Sequence, residues 1–259
     1  GVQSFLTTFG HLPKGFWLPE CGYYPGLEEN LKYHGISWFQ TASQSMLLSP
    51  DKVQYGDYRP VRCPNGVAAF PRDFEGTSLV WSNTSGYPAD KTYREFYRDI
   101  GYDLPMEYIK PYIHEPAVRV FTGYKYWAIT GHTDQKVPYQ RSEAQKKVVE
   151  HARNFIYNLK KKGRQLSAAM DAEPLYTLAY DAELFGHWWF EGIDWLEQVI
   201  RLAAVQGEEI SLVTPSLFLS REGADLQTVR PAFSSWGQGG YSAVWLDGSN
   251  AWTYRHIHN

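Results

Sequence analysis

A chain of 259 residues, 43 % hydrophobic and 20 % charged, is long enough for one large globular domain or a domain and a half. Its formal net charge of −3, with neither a basic stripe nor an acidic tail, favours neither a nucleic-acid partner nor a membrane surface, and none is expected. No stretch reaches the roughly 18 apolar residues of a membrane span, and two cysteines fall far short of a disulfide framework, so a reducing, cytoplasmic setting is expected.

The start, "GVQSFLTTFG", lacks the basic opening and long apolar centre of a signal peptide, and no Met initiates it. Four short apolar runs then predict buried strands: "GFWLPE" (15–20), "GISWFQTA" (35–42), "GVAAFPRD" (66–73) and "PLYTLAYDAE" (174–183). Between the first two, "PGLEENLKYH" (25–34) reads as a short helix opened by Pro25 and Gly26. Residues 74–139 break this rhythm and read as a loop-rich, aromatic-rich excursion over an active face, with "YREFYRD" (93–99) as a charged helix face. At 140–163, Ala144, Val148, Ala152, Phe155, Ile156 and Leu159 recur at helical spacing, and Gly163 is expected to stop the helix. A further helix is expected over 192–207. Alternating strands and helices imply a parallel α/β architecture, whose active groups sit at the carboxyl ends of strands. Glu20, Asp73 and Asp181 are predicted there. Four strands cannot close a barrel of seven or eight, so the missing ones are expected before Gly1.

Two stretches carry the chemistry. Glu20 ends an apolar run among Trp17, Tyr23 and Tyr24, a setting for a nucleophile, for a carboxyl of raised pKa, or for a structural ion pair. In "YDAELFGHWWFEG" (180–192), Asp181 stands at the expected strand end, with Glu183 and Glu191 read as structural charges. His187 either orients a carboxylate, binds a sugar hydroxyl or is structural. Two carboxylates remote in sequence can meet at one barrel mouth, and glycoside cleavage needs such a pair. Aromatic residues, with 10 Trp, 19 Tyr and 13 Phe, make up 16 % of the chain and include material for sugar-binding platforms. Arg72 and Asp73, ending the third run, bind sugar hydroxyls or form an ion pair. No metal or cofactor is expected: "HEP" (114–116), "GHTD" (131–134) and "HIH" (256–258) lack zinc spacing with a third ligand, and "GQGG" (237–240) is not a phosphate loop.

"GFWLPECGYYPGLEENL" and "YDAELFGHWWFEG" resemble two signature regions of glycoside hydrolase family 57, enzymes acting on α-1,4-glucans. "PAFSSWGQGGYSAVWLDGSNAWTYRHI" (231–257), "VWSNTSGYPADKTYREFYRDIGYD" (80–103) and "GYKYWAITG" (123–131) resemble stretches of that family's 1,4-α-glucan branching enzymes. The resemblance implies an incomplete (β/α)7 TIM-like barrel over 1–230, followed from 231 by the start of a helical C-terminal domain. The family's N-terminal His-containing motif and its second motif are absent, which implies an internal fragment. By position, Glu20 takes the role of nucleophile and Asp181 that of general acid/base. Trp236, Trp245, Trp127 and Tyr87 take the positions of the aromatics that shape the donor and acceptor sites. A retaining mechanism places the two carboxyls about 5–5.5 Å apart. The expected activity is branching of an α-1,4-glucan in glycogen- or starch-type metabolism. An α-amylase, a 4-α-glucanotransferase, a non-catalytic glucan-binding fragment and a metal-dependent hydrolase are the alternatives.

Overall fold

A computed structural model describes residues 1–115, 118–205 and 207–257. The chain divides into two compact units: residues 1–74, 165–179 and 213–259 form the first, and residues 75–164 and 180–212 the second. Among the described residues no helix is long and apolar enough to cross a membrane.

The first unit is built on a four-stranded sheet, β1 (Gly15–Trp17), β2 (Trp38–Thr41), β3 (Val61–Arg62) and β4 (Ala68–Pro71), in the order β1-β2-β4-β3. β1, β2 and β4 run parallel, and β3 lies antiparallel to β4. The helix Leu27–Tyr33 connects β1 to β2, as the sequence predicts. Side chains alternate with the pleat. Phe39 and Ala69 face a core of Leu18, Tyr23, Leu31, Met46, Val61 and Val229. Ala68 and Phe70 face the opposite cluster with Trp38, Phe218 and Leu226. Gly15 pairs with Trp38 across the β1–β2 ladder, and a Cβ on it would lie 2.0 Å from the indole. Only glycine fits there.

The expected fourth strand does not form. Residues 174–178 run extended beside β4 but make a single parallel bridge, Thr177 with Arg72. The reason is the short β3, which the sequence did not announce: it occupies the edge of β4 at Ala68 and Ala69 and leaves only the carboxyl end open.

In the second unit, the helix Arg141–Ala169 (of which residues 141–164 belong here) buries Ala144, Val148, Ala152, Phe155 and Ile156, the stripe read from the sequence. The helix runs through Gly163 to Ala169. A mid-helix glycine costs only about 1 kcal/mol, and the following "RQLSAA" is rich in helix formers. The helix Gly192–Ala204 adds Trp195, whose ring meets Phe155 edge-on at 5.0 Å and Trp189 at 5.4 Å. Residues 93–99 are not a helix. Glu95 and Ile129 donate main-chain N–H groups to Trp127 and Tyr93, so this segment pairs antiparallel with residues 127–129. Asp99 then closes the loop by accepting from the N–H groups of Gly101, Thr122 and Gly123 and from the Thr122 hydroxyl.

Candidate active site

After β1 the chain turns through the short 3-10 segment Pro19–Cys21, with Leu18 and Cys21 buried on either side of Glu20. The turn puts two consecutive non-glycine residues in the left-handed region, Glu20 at φ 56° and Cys21 at φ 48°. Each such residue costs on the order of 1–2 kcal/mol and persists only when its surroundings over-determine it. Those surroundings are visible. The Tyr23 N–H donates to Ser234 at 2.8 Å, the Ser234 N–H donates to Tyr23 at 3.0 Å, and the Trp236 N–H donates to the Glu20 carbonyl at 2.9 Å. Buried Leu18 and Cys21 face inward, and the Glu20 side chain is left exposed.

One oxygen of that carboxylate, Oε2, accepts a hydrogen bond of 2.6 Å from Nε1 of Trp236, 216 residues away in sequence. The Trp236 ring meets Trp17 edge-on with centroids 5.6 Å apart, and the Arg72 guanidinium lies 5.1 Å from its centroid. Trp245 belongs to the same segment. Its ring packs against Gly237, where a Cβ would stand 2.5 Å from the indole, and its carbonyl accepts from the Tyr254 hydroxyl at 2.6 Å. Asp73 is buried, its N–H donating to the Thr177 carbonyl at 2.9 Å. The structure therefore gathers Glu20, Trp236, Trp245, Arg72 and Asp73 in the first unit. Tyr23, expected as a wall of the Glu20 setting, instead turns inward. It stacks on Phe39 at 5.4 Å, and its hydroxyl donates to Glu28 at 2.7 Å.

Asp181, His187, Trp127 and Tyr87 belong to the second unit. Asp181 is half-buried and extended, and its carbonyl accepts from the Leu184 N–H at the head of the turn Ala182–Leu184. His187 is exposed and packs edge-on against Phe96 at 5.3 Å and Trp188 at 5.3 Å. Trp188 in turn lies 4.4 Å from Phe96 and donates its N–H to Glu183. The Trp127 carbonyl accepts from Glu95, and its ring tilts against Tyr126 at 4.6 Å. Tyr87 is buried among His151, Phe155 and Trp195, with its hydroxyl donating to Asn154.

Sequence reasoning missed Phe96 and the cleft of about 880 Å³ beside it, lined by Trp81, Arg94, His132, Asp134 and Trp188. Only their distance in sequence hides them. Glu191, read as structural, is fully buried in the second unit and accepts from the Arg94 N–H at 3.2 Å. Burial pushes its carboxyl above the usual range against that hydrogen bond and the Arg94 charge. Among the described residues no group of three His, Cys, Asp or Glu side chains is arranged to hold a metal ion; Pro116 and His258, at the ends of the "HEP" and "HIH" stretches, lie outside them.

The fold has counterparts among known proteins. The chain aligns over its whole length with an α-amylase structure from Thermotoga maritima, at 41 % identity and a TM-score of 0.88, covering 48 % of that chain. It likewise aligns with a family 57-type branching enzyme from Pyrococcus horikoshii, at 33 % identity and a TM-score of 0.83, covering 47 % of that chain. A 1,4-alpha-glucan branching enzyme of Thermococcus kodakarensis is 31 % identical across the full chain, which spans 39 % of that relative. The chain thus spans less than half the length of each relative, and the sheet of the first unit is part of an incomplete α/β barrel. The Glycosyl hydrolase family 57 model matches residues 3–159, and the chain belongs to that family.

Proposed function

We propose that the protein carrying this chain is a retaining α-glucan-active enzyme, a 1,4-α-glucan branching enzyme of glycogen- or starch-type metabolism. Glu20 is the nucleophile. One of its oxygens attacks the anomeric carbon of an α-1,4-linked glucose, the C1–O4 bond breaks with its electron pair on O4, and Asp181 gives that oxygen its proton. The resulting glycosyl ester is opened in a second displacement, in which the Asp181 carboxylate takes the proton of the incoming hydroxyl. A 6-hydroxyl of another glucan gives a branch, a 4-hydroxyl gives glucanotransfer, and water gives hydrolysis. The acceptor site decides among them, and its aromatic surfaces keep water out.

The observation that carries this reading is Glu20 itself: an exposed carboxylate on a strained turn, hydrogen-bonded to an indole and flanked by Trp17. Strain of this kind clusters at working residues. Membership of family 57 and similarity to two archaeal branching enzymes support the activity. The 41 % identity with an α-amylase favours a second reading, hydrolysis of the same bond. The test incubates the intact protein with amylose and counts α-1,6 linkages against reducing ends. Branching raises the first and leaves the second constant, and hydrolysis does the reverse. Neither change with a redistributed chain length is glucanotransfer, and amylose bound with neither change and an unaltered chain-length distribution overturns the catalytic reading in favour of a glucan-binding protein.

A further inference from the structure

From the indole–carboxylate contact we infer that Trp236 is a positioning residue for the nucleophile: its N–H, rather than the face of its ring, fixes the Glu20 carboxylate and leaves Oε1 as the attacking atom. The inference rests on Glu20 being the nucleophile, as proposed above.

An exposed glutamate ordinarily samples several rotamers, and each of its two oxygens is then free to reach a substrate. Here two hydrogen bonds from one residue hold it: Nε1 to Oε2 at 2.6 Å and the Trp236 main-chain N–H to the Glu20 carbonyl at 2.9 Å. Because both partners share the same residue, main chain and side chain of Glu20 are fixed in a single frame. Indole is a donor only. It cannot take a proton from the carboxyl.

The donor is itself braced. Trp17 packs edge-on at 5.6 Å, and the Arg72 guanidinium stands 5.1 Å from the ring centroid. Arg72 follows β4 directly and is bridged to Thr177, so the brace is tied to the sheet. A ring held on these sides is well placed to orient a neighbour. Its effect on the reaction then falls on the rate of the covalent step, whereas a sugar platform would change substrate affinity.

The test uses the intact protein and a 5-fluoro-α-glucosyl fluoride, which accumulates the glycosyl-enzyme, with the labelled peptide identified by mass. Two replacements are compared with the native protein: Trp236→Phe, and β-(3-benzothienyl)alanine at position 236, which keeps the shape and face of the ring and removes only the N–H. The expected result is labelling of Glu20 in all three. Both variants label roughly 10- to 100-fold more slowly, with a half-saturating fluoride concentration within about twofold of native and an unchanged melting midpoint. Labelling of the benzothienyl variant at the native rate, or a rise in half-saturation alone, overturns the positioning role and leaves the nucleophile assignment standing. A label on another residue of the native protein overturns that assignment, and the inference with it.

Discussion

Glu20 concentrates chemistry and strain at one position. Its left-handed backbone has no conformational advantage for a glutamate, and the neighbouring Cys21 shares the cost, yet both are held by buried flanks and by the Ser234–Trp236 segment. The restraint lies mostly in the main chain. Replacing Glu20 by Gln therefore preserves the fold: the melting midpoint should stay within about 0.5 kcal/mol of native in stability terms. Turnover of amylose should fall on the order of a thousandfold or more, because an amide cannot form the ester. Retained turnover in Glu20→Gln would remove it from the mechanism.

Short segments here are fixed by single polar or steric contacts rather than by regular structure. Asp99 is one such centre, with its side chain fully buried where it caps the short helix Ile100–Asp103 and holds residues 122–123. Burial pushes its carboxyl up, but the N–H groups of Thr122, Gly101 and Gly123 and the Thr122 hydroxyl outweigh burial and hold it below its ordinary value. A carboxylate depressed in the folded state stabilises fully above its unfolded value of about 3.9, and that contribution is lost as pH falls through the lower folded value. Asp99→Asn sets an amide N–H₂ against the Gly123 N–H and should cost about 2 kcal/mol at neutral pH. In urea titrations the gap between native and variant should shrink below about pH 4; a gap independent of pH would contradict the assignment. Gly237 is a second centre, since the Trp245 ring occupies the space of its missing Cβ. Gly237→Ala must displace that ring, at a cost of about 1–3 kcal/mol. A lowered melting midpoint with altered tryptophan fluorescence would record it.

Across the whole chain, stability is drawn from aromatic packing more than from charge. The second unit is organised around Trp195, which touches Tyr87, Phe155, Phe185 and Trp189. Trp195→Ala should cost about 3–5 kcal/mol, read as a lower denaturation midpoint. The ion pairs are mostly at the surface, as with Arg230 and Asp51 or Lys146 and Glu143, and add little. The same aromatic wealth supplies the exposed Trp17 and the half-buried Trp236 beside Glu20, so one compositional bias serves both the core and the proposed glucan-binding surface.

The sequence by itself determined the parts that depend on neighbours in the chain. Helical spacing from Ala144 to Ile156 and the parallel runs that become β1, β2 and β4 are local patterns set by short-range sterics and burial. Tertiary structure alone decided what depends on a partner elsewhere. Residues 174–178 failed to become a strand because β3 already held the edge of β4, and the helix passed Gly163 because the cost of one glycine is small beside the turns around it. It also turned Tyr23 inward and set the indole of Trp236 against Glu20 across 216 residues. A hydrogen bond between remote segments leaves no periodicity to read, since its geometry exists only once the chain has closed on itself.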